Sequence, residues 1–209
     1  MQMIKYTHAC VRLEDGDRKL VIDPGLWSEV ESLAGVTDVL ITHEHYDHVD
    51  SEKLADAKSE NPDLRVHVPP SVAQQLAGLG DSVITVNVGD TFTAGGFEVR
   101  VVGGDHAEIY EGLPGIANVG YIVEGNVYHP GDSLFRPDAA VETLLLPASA
   151  PWLKLAEALD FVRDVKPQRA FPIHDALLSE IGQSAFDNWA NLRGGTTYNR
   201  LQIGEPVSF

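Results

Sequence analysis

Short apolar blocks separated by turn residues run through the whole chain, and their spacing predicts strands first and helices later. Strands are expected at 3–7 and 9–14, followed by the turn cluster Asp15-Gly16-Asp17. Two more are expected at 19–22, ended by Asp23-Pro24-Gly25, and at 38–42. A helix is expected at 51–59, with Ser51 as its N-cap before Glu52. A strand at 65–68, a break at Pro69-Pro70 and a short helix at 71–79 come next. Strands at 82–88, 97–102, 119–123 and 127–129 follow, and 143–146 is apolar enough for a strand buried on both faces. Leu155, Leu159 and Val162 mark the i, i+4, i+7 face of a helix over 152–165. A strand at 170–173 and an amphipathic helix at 181–192 complete the series. No internal repeat, low-complexity segment or linker interrupts it. Strand-rich stretches followed by helices imply an α/β fold of two packed sheets with helices on the outer faces.

Composition narrows the partners. The 209 residues suit a single domain over 1–209, and 44% hydrophobic with 22% charged residues is a globular balance. Fifteen basic against 31 acidic residues give a net charge of −16, with no Lys/Arg-rich run. Such a surface repels phosphate backbones and anionic lipid, so nucleic acid is not expected as the main partner. One cysteine, Cys10, excludes an internal disulfide and a thiolate cage; it is expected to be a small buried hydrophobe. With no apolar leader and no 18-residue apolar run, a cytoplasmic location without integral membrane association is expected.

The candidate chemistry is concentrated in His43-Glu44-His45-Tyr46-Asp47-His48, which follows the apolar run Val39-Leu40-Ile41. In an extended backbone, His43 and His45 present their rings to one side and can share an ion. Loss of strand geometry beyond them can turn Asp47 and His48 toward a second. Divalent first-row metals suit these nitrogen and carboxylate donors. Three further candidates each follow a strand-like run: His106 in Gly103-Gly104-Asp105-His106, Asp132 in His129-Pro130-Gly131-Asp132, and His174 in Phe171-Pro172-Ile173-His174.

H-x-H-x-D-H, a lone histidine, a G-D aspartate and a final histidine, in this order, resemble the metallo-β-lactamase-fold hydrolase superfamily. Leu20-Val21-Ile22-Asp23-Pro24-Gly25 looks like that family's first motif. The resemblance spans Asp23 to His174 and implies a four-layer αββα sandwich of two mixed, mainly antiparallel sheets with outer helices. By position it implies one metal on His43, His45 and His106, and a second on Asp47, His48 and His174, with Asp132 bridging. Zinc is the expected metal, manganese and iron being accepted by the same donors. A metal-bridged hydroxide would then attack an ester, lactone, thioester or phosphodiester. Aspartate stands where the true zinc β-lactamases carry a cysteine, which disfavours antibiotic hydrolysis. Thr7-His8-Ala9-Cys10-Val11-Arg12-Leu13-Glu14 is similar to the G-H-A-x-x-x-x-E opening of the ascorbate-6-phosphate lactonase-like branch, with threonine replacing the glycine.

Within this frame Asp47 is expected to orient the attacking water and accept its proton. Asp23 is expected to orient a metal-binding histidine through a hydrogen bond, or else to serve the Asp-Pro-Gly turn. His8 is expected near the leaving group or behind a ligand, or as a satisfied strand histidine. Asp105 and Asp175 flank ligands and share that alternative. His67 reads as structural, and His129 as ordering the turn that presents Asp132. Trp27, Tyr46, Tyr110 and Trp152 suggest an aromatic cleft. Two alternatives stand beside hydrolysis of a small substrate: a metal-binding scaffold or sensor without turnover, and a nuclease, which the charge disfavours. A redox role would need a flavin-binding domain.

Overall fold

The computed structural model describes every residue except Pro114 and Phe209. The first sheet is built from β1 (Gln2–Lys5), β2 (Val11–Asp15), β3 (Arg18–Ile22), β4 (Asp38–Leu40), β5 (Arg65–Val68) and β6 (Val83–Thr85). The second takes β7 (Thr91–Ala94), β8 (Phe97–Asp105), β9 (Ala117–Val123), β10 (Val127–His129), β11 (Thr143–Pro147), β12 (Arg169–Ile173) and β13 (Thr197–Tyr198). A last strand, β14 (Pro206–Ser208), returns to the edge of the first sheet beside β1. The helices are α1 (Ser51–Glu60), α2 (Pro70–Gln75), α3 (Leu155–Val165) and α4 (Glu180–Arg193).

Both sheets follow one plan. Pairing runs antiparallel from β14 through β1 and β2 to β3, then parallel through β4 and β5 to β6. In the second sheet it runs antiparallel from β7 through β8 and β9 to β10, then parallel through β11 and β12 to β13. The hairpin between β9 and β10 turns on Glu124 and Gly125, both with positive φ (53° and 62°), the conformation that matches strand twist.

Strand alternation distributes the apolar residues over three cores, which makes four layers. Leu20, Ile22 and Leu40 of the first sheet meet Phe97, Tyr121 and Leu145 of the second between the sheets. Val21, Val39 and Ile41 point the other way and pack with Leu54 and Val72 from α1 and α2. Leu144 and Leu146 likewise pack outward with Phe161 and Phe186 from α3 and α4. The uninterrupted Val-Leu-Ile and Leu-Leu-Leu runs are therefore buried on both faces, and the sandwich expected from the pattern is the one observed.

Three strands were not expected from the pattern: β7, β13 and β14 are two to four residues long, with weak alternation, and take their pairing from neighbours already in place. The cap of α1 also differs. Asp50, not Ser51, is the N-cap, its Oδ1 accepting from Glu52 N–H at 3.0 Å and Lys53 N–H at 3.1 Å. An ionised acceptor suits the positive end of a helix better than a hydroxyl. Asp50→Ala is expected to cost about 1 kcal/mol in urea denaturation and Ser51→Ala only a few tenths; equal costs would contradict the assigned cap.

Candidate metal centre

Every candidate side chain leaves a strand at the same edge of the sandwich. Asp23 follows β3, the 43–48 segment follows β4, His106 follows β8, Asp132 follows β10 and His174 follows β12. His8 lies in the β1–β2 connection. Of the five non-glycine residues with positive φ among the described residues, three are here: His8 (66°), Asp23 (51°) and His174 (54°). Such backbone persists only where surrounding contacts enforce it. His174 N–H donates to the His8 carbonyl at 3.1 Å, which ties two of the three together.

The turns are fitted closely. A Cβ at Gly25 would sit 2.0 Å from the Asp47 carbonyl oxygen, so the Asp-Pro-Gly turn lies directly on the ligand segment. Leu26 N–H donates to the Tyr46 carbonyl at 2.8 Å across the same contact. Gly131, at φ 62°, would place a Cβ 2.2 Å from Asn118 Oδ1 and 2.8 Å from Thr42 Cβ. Asn118 fixes the turn from both sides: its Oδ1 accepts from Asp132 N–H at 2.9 Å and its Nδ2 donates to the Pro130 carbonyl at 2.9 Å. His129 adds a third tie, Nδ1 accepting from Gly131 N–H at 3.1 Å while Nε2 donates to the Ala9 carbonyl at 2.9 Å.

Hydrogen bonding also sets which ring nitrogens face the centre. Thr42 donates its hydroxyl proton to Asp23 Oδ2 at 2.7 Å and its N–H to Asp23 Oδ1 at 2.8 Å. A hydroxyl has one proton, so Thr42 Oγ1 accepts from His43 Nδ1–H at 3.0 Å. His48 Nδ1 donates to Asp23 Oδ2 at 2.7 Å, His106 Nδ1 to the Ala107 carbonyl at 2.6 Å, and His174 Nδ1 to the Ser149 carbonyl at 2.5 Å. Four histidines thus have Nδ1 held from behind and Nε2 directed inward, the arrangement typical of metal-binding imidazoles. His45 turns its Nδ1 inward instead, 3.1 Å from His43 Nε2.

The inward atoms gather into two groups. His43, His45, His106 and Asp132 form one, and His8, Asp47, His48 and His174 the other, the donor atoms within each lying no more than 4.8 Å apart. Asp132 reaches across both. Its Oδ2 is 3.3 Å from His106 Nε2 and 3.1 Å from His174 Nε2, and its Oδ1 is 3.0 Å from His48 Nε2. Despite these approaches, His48 Nε2, His106 Nε2, His174 Nε2 and Asp132 Oδ1 are buried without a hydrogen bond. Buried polar atoms seldom go unsatisfied, and lone pairs converging on one space are the donor set a cation requires.

The charges point the same way. Burial opposes ionisation of Asp132, but His48, His106 and His174 outweigh it and hold its pKa well below the carboxylate range. Burial of Asp47 is outweighed by His174 and His8, with the same result. Burial also disfavours charge on His48, yet Asp132 and Asp23 raise its pKa well above the ordinary value. For His174, Asp132 and Asp47 overcome burial and raise it to about 9. Burial lowers His43 well below the ordinary value, with His48 adding to it, and lowers His45 together with His106. Burial also lowers His8 against its 3.1 Å bond to Asp47 Oδ2.

Other candidates fall outside the cluster. Asp175 pairs with Lys5 at 2.9 Å and with Arg200, and holds no ligand histidine. Asp105 is exposed beside the centre. His67 Nε2 donates to Asp38 Oδ1 at 2.8 Å and its ring stacks on Phe92, a structural role. Burial pushes the Cys10 thiol up to about 12, which makes it inert. Trp27 lies edge-on to His8 and Tyr46 edge-on to Trp27, while Tyr110 is 73% exposed. Trp152 is closer than expected for an aromatic wall: its Nε1 donates to Asp132 Oδ2 at 3.2 Å. Thr42 and Asn118 went unread in the sequence; their one signal is position, each a polar residue beside or within an apolar strand.

This fold and this cluster define a hydrolase of the metallo-β-lactamase fold. The chain belongs to the beta-lactamase superfamily, the profile of the Beta-lactamase superfamily domain matching residues 2–174. It is 40% identical to protein Rv0786c of Mycobacterium tuberculosis over 185 residues, 86% of each chain. It is 35% identical to a UPF0173 metal-dependent hydrolase of Xanthobacter autotrophicus over 159 residues, 68% of this chain and 65% of that one. Among solved structures it is similar to Igni18, a metallo hydrolase of Ignicoccus hospitalis, with a TM-score of 0.77 and 20% identity over 100% of this chain and 97% of that one. Among the described residues, no helix is long and apolar enough to cross a membrane.

The packing around Gly131 yields a test. Gly112 also has positive φ (86°) but open space where a Cβ would sit, whereas at Gly131 a Cβ would meet both the positive φ and close contacts. Gly112→Ala is expected to cost about 1 kcal/mol and leave metal uptake unchanged. Gly131→Ala is expected to cost about 2–4 kcal/mol and to weaken metal uptake in calorimetric titration. Equal behaviour of the two variants would show that the turn does not position Asp132.

Proposed function

We propose that the chain is a dinuclear metal-dependent hydrolase of a small ester, lactone or phosphodiester, acting as a single domain. One ion would be held by His43, His45 and His106 and the other by Asp47, His48 and His174, with Asp132 shared. The observation that carries this reading is the set of inward nitrogens whose partner nitrogens are already bonded, converging with an unsatisfied carboxylate oxygen. When bound, such a pair of divalent cations supplies the Lewis acidity that makes water nucleophilic near neutral pH and polarises the substrate oxygen. The donors are the kinds that zinc, manganese and iron all accept, and zinc is proposed.

The chain's own residues do the rest. Asp47 is the most exposed carboxylate of the cluster (14%) and stays ionised, so it can orient water and accept its proton. His8, kept neutral by burial, donates Nε2–H to Asp47 Oδ2 and so orients that carboxylate. Asp23 holds His48 directly and His43 through Thr42, which keeps both Nε2 lone pairs aimed inward. A lactone remains within this substrate range because the His8 opening is similar to the lactonase-like branch.

Elemental analysis of the native chain is expected to give two metals per chain. Asp132→Ala is expected to lower that content and abolish ester hydrolysis; unchanged content in the variant would refute a shared ligand. Asp23→Asn is expected to leave the fold intact and weaken metal affinity about 10–100-fold.

Metal uptake should depend on pH in a defined direction. Without a cation, protons on His48 and His174 balance the carboxylates, and a metal must displace them. A raised pKa keeps the proton bound below it and releases it above. Affinity should therefore climb as pH rises through neutrality toward about 9, with protons released on binding. Calorimetry in buffers of different ionisation enthalpy would detect that release; uptake independent of pH between 6 and 9 would contradict it.

A further inference from the structure

We infer that the substrate presents an uncharged, largely apolar group to the cleft beside Asp132, and that this cleft rejects anionic groups; the inference rests on the hydrolase reading above. The cleft, of about 520 Å³, runs along the β8 end and the segment after Asp132. Trp152 joins it to the centre: it lines the cleft, donates to Asp132 Oδ2 at 3.2 Å and lies edge-on to His106. A substrate whose reacting bond lies at Asp132 therefore extends its body over Trp152.

The walls divide by chemistry. Trp152, Leu134, Phe135 and Ala107 give an apolar surface, and Phe135 is 45% exposed. Gly103 and Gly104 leave part of the wall without side chains, which suits a flat or chain-like group. The charged groups on the lining are all acidic: Asp105, Glu108 and Glu157. Lys154 approaches Glu157 to 3.5 Å from the exposed rim, so that charge is partly answered. Asp105 and Glu108 are exposed and have no ion-pair partner among the described residues. Within a chain of net charge −16, two uncompensated carboxylates give an anionic substrate tail no cation to meet. Arg136 stands beyond Phe135 in a neighbouring depression with Arg100 and Asp138, and Arg100 is already paired with Asp138 at 2.7 Å. The two depressions share Gly103 and Phe135, and Arg136 lines only the one beyond the Trp152 cleft.

The test uses the metal-loaded full chain and three p-nitrophenyl esters of six-carbon acids that differ only in the far end: methyl, ammonium or carboxylate. The methyl-ended ester is expected to exceed the carboxylate-ended one in kcat/KM by about tenfold or more at low salt, the ratio shrinking as salt screens the cleft. The Asp105→Asn, Glu108→Gln double variant is expected to narrow the same ratio. A carboxylate-ended ester cleaved as well as the methyl-ended one, a ratio unmoved in the double variant, or a preference for the carboxylate that Arg136→Gln removes would each overturn the inference. The matching N-(4-nitrobenzyl) amides, followed by quenching of tryptophan fluorescence, report binding without turnover. If none of the esters is cleaved, the hydrolase reading fails, while the order of amide affinities still decides the charge preference.

Discussion

A carboxylate shut away from water has to find all its hydrogen bonds inside the protein, and Asp23 finds them in Thr42 and His48. It is fully buried, on left-handed backbone that the following Pro24-Gly25 continues into a turn. Because Thr42 has given its proton to Asp23, it can only accept from His43. One side chain thereby fixes the tautomers of two histidines on the neighbouring strand end. The same turn presses on the Asp47 carbonyl through Gly25, where no Cβ fits. The first sheet's half of the centre is in this sense the consequence of a single buried turn.

The second sheet supplies the other half, and the edge between the sheets is where the two meet. Thr42 O accepts from Val119 N–H at 2.9 Å, so the residue that relays Asp23 also stitches the sheets together. Asn118, next in line, holds the Asp132 turn. Asp132 then lies against His48, His106 and His174 with little access to water. Ionised carboxylates in such surroundings cost several kcal/mol each unless matched by positive charge. Protons on His48 and His174 provide that match, and in the proposed reading a cation would take their place.

Much of this was legible before the coordinates. The apolar run at 143–146 announced a strand buried on both faces, because only a sheet covered by layers on each side hides every position. The candidate ligands were legible as a set because metal binding demands particular donors at strand ends, and these stood out in a chain with eight histidines. What could not be read was chemistry carried by backbone or by ordinary polar residues. The carbonyls of Ala107 and Ser149 fix two imidazoles, yet every residue has a carbonyl. Thr42 and Asn118 matter through who else is near, which only the fold decides. The short edge strands were missed for a related reason: their residues pair because a sheet edge awaits them, not because their own pattern demands it.

The burial of the seven proposed ligands is uneven, and the unevenness gives the centre a direction. His43 and His48 have no exposed side-chain surface, and His106, Asp132 and His174 only 3% each. Asp47 is 14% exposed and His45 is half-buried, with Tyr46 between them 60% exposed. Water can therefore reach the cluster on the side of residues 45–47 and leaves the side around Asp23 and Thr42 dry. The group suited to receive a proton from water stands at that open side, while the groups that orient imidazoles stand at the closed one. Such a separation is what a hydrolytic centre needs, since the nucleophile must be renewed from solvent while the ligand geometry must not change. A purely structural metal site would gain nothing from the opening, and its ligands would be expected to close on all sides.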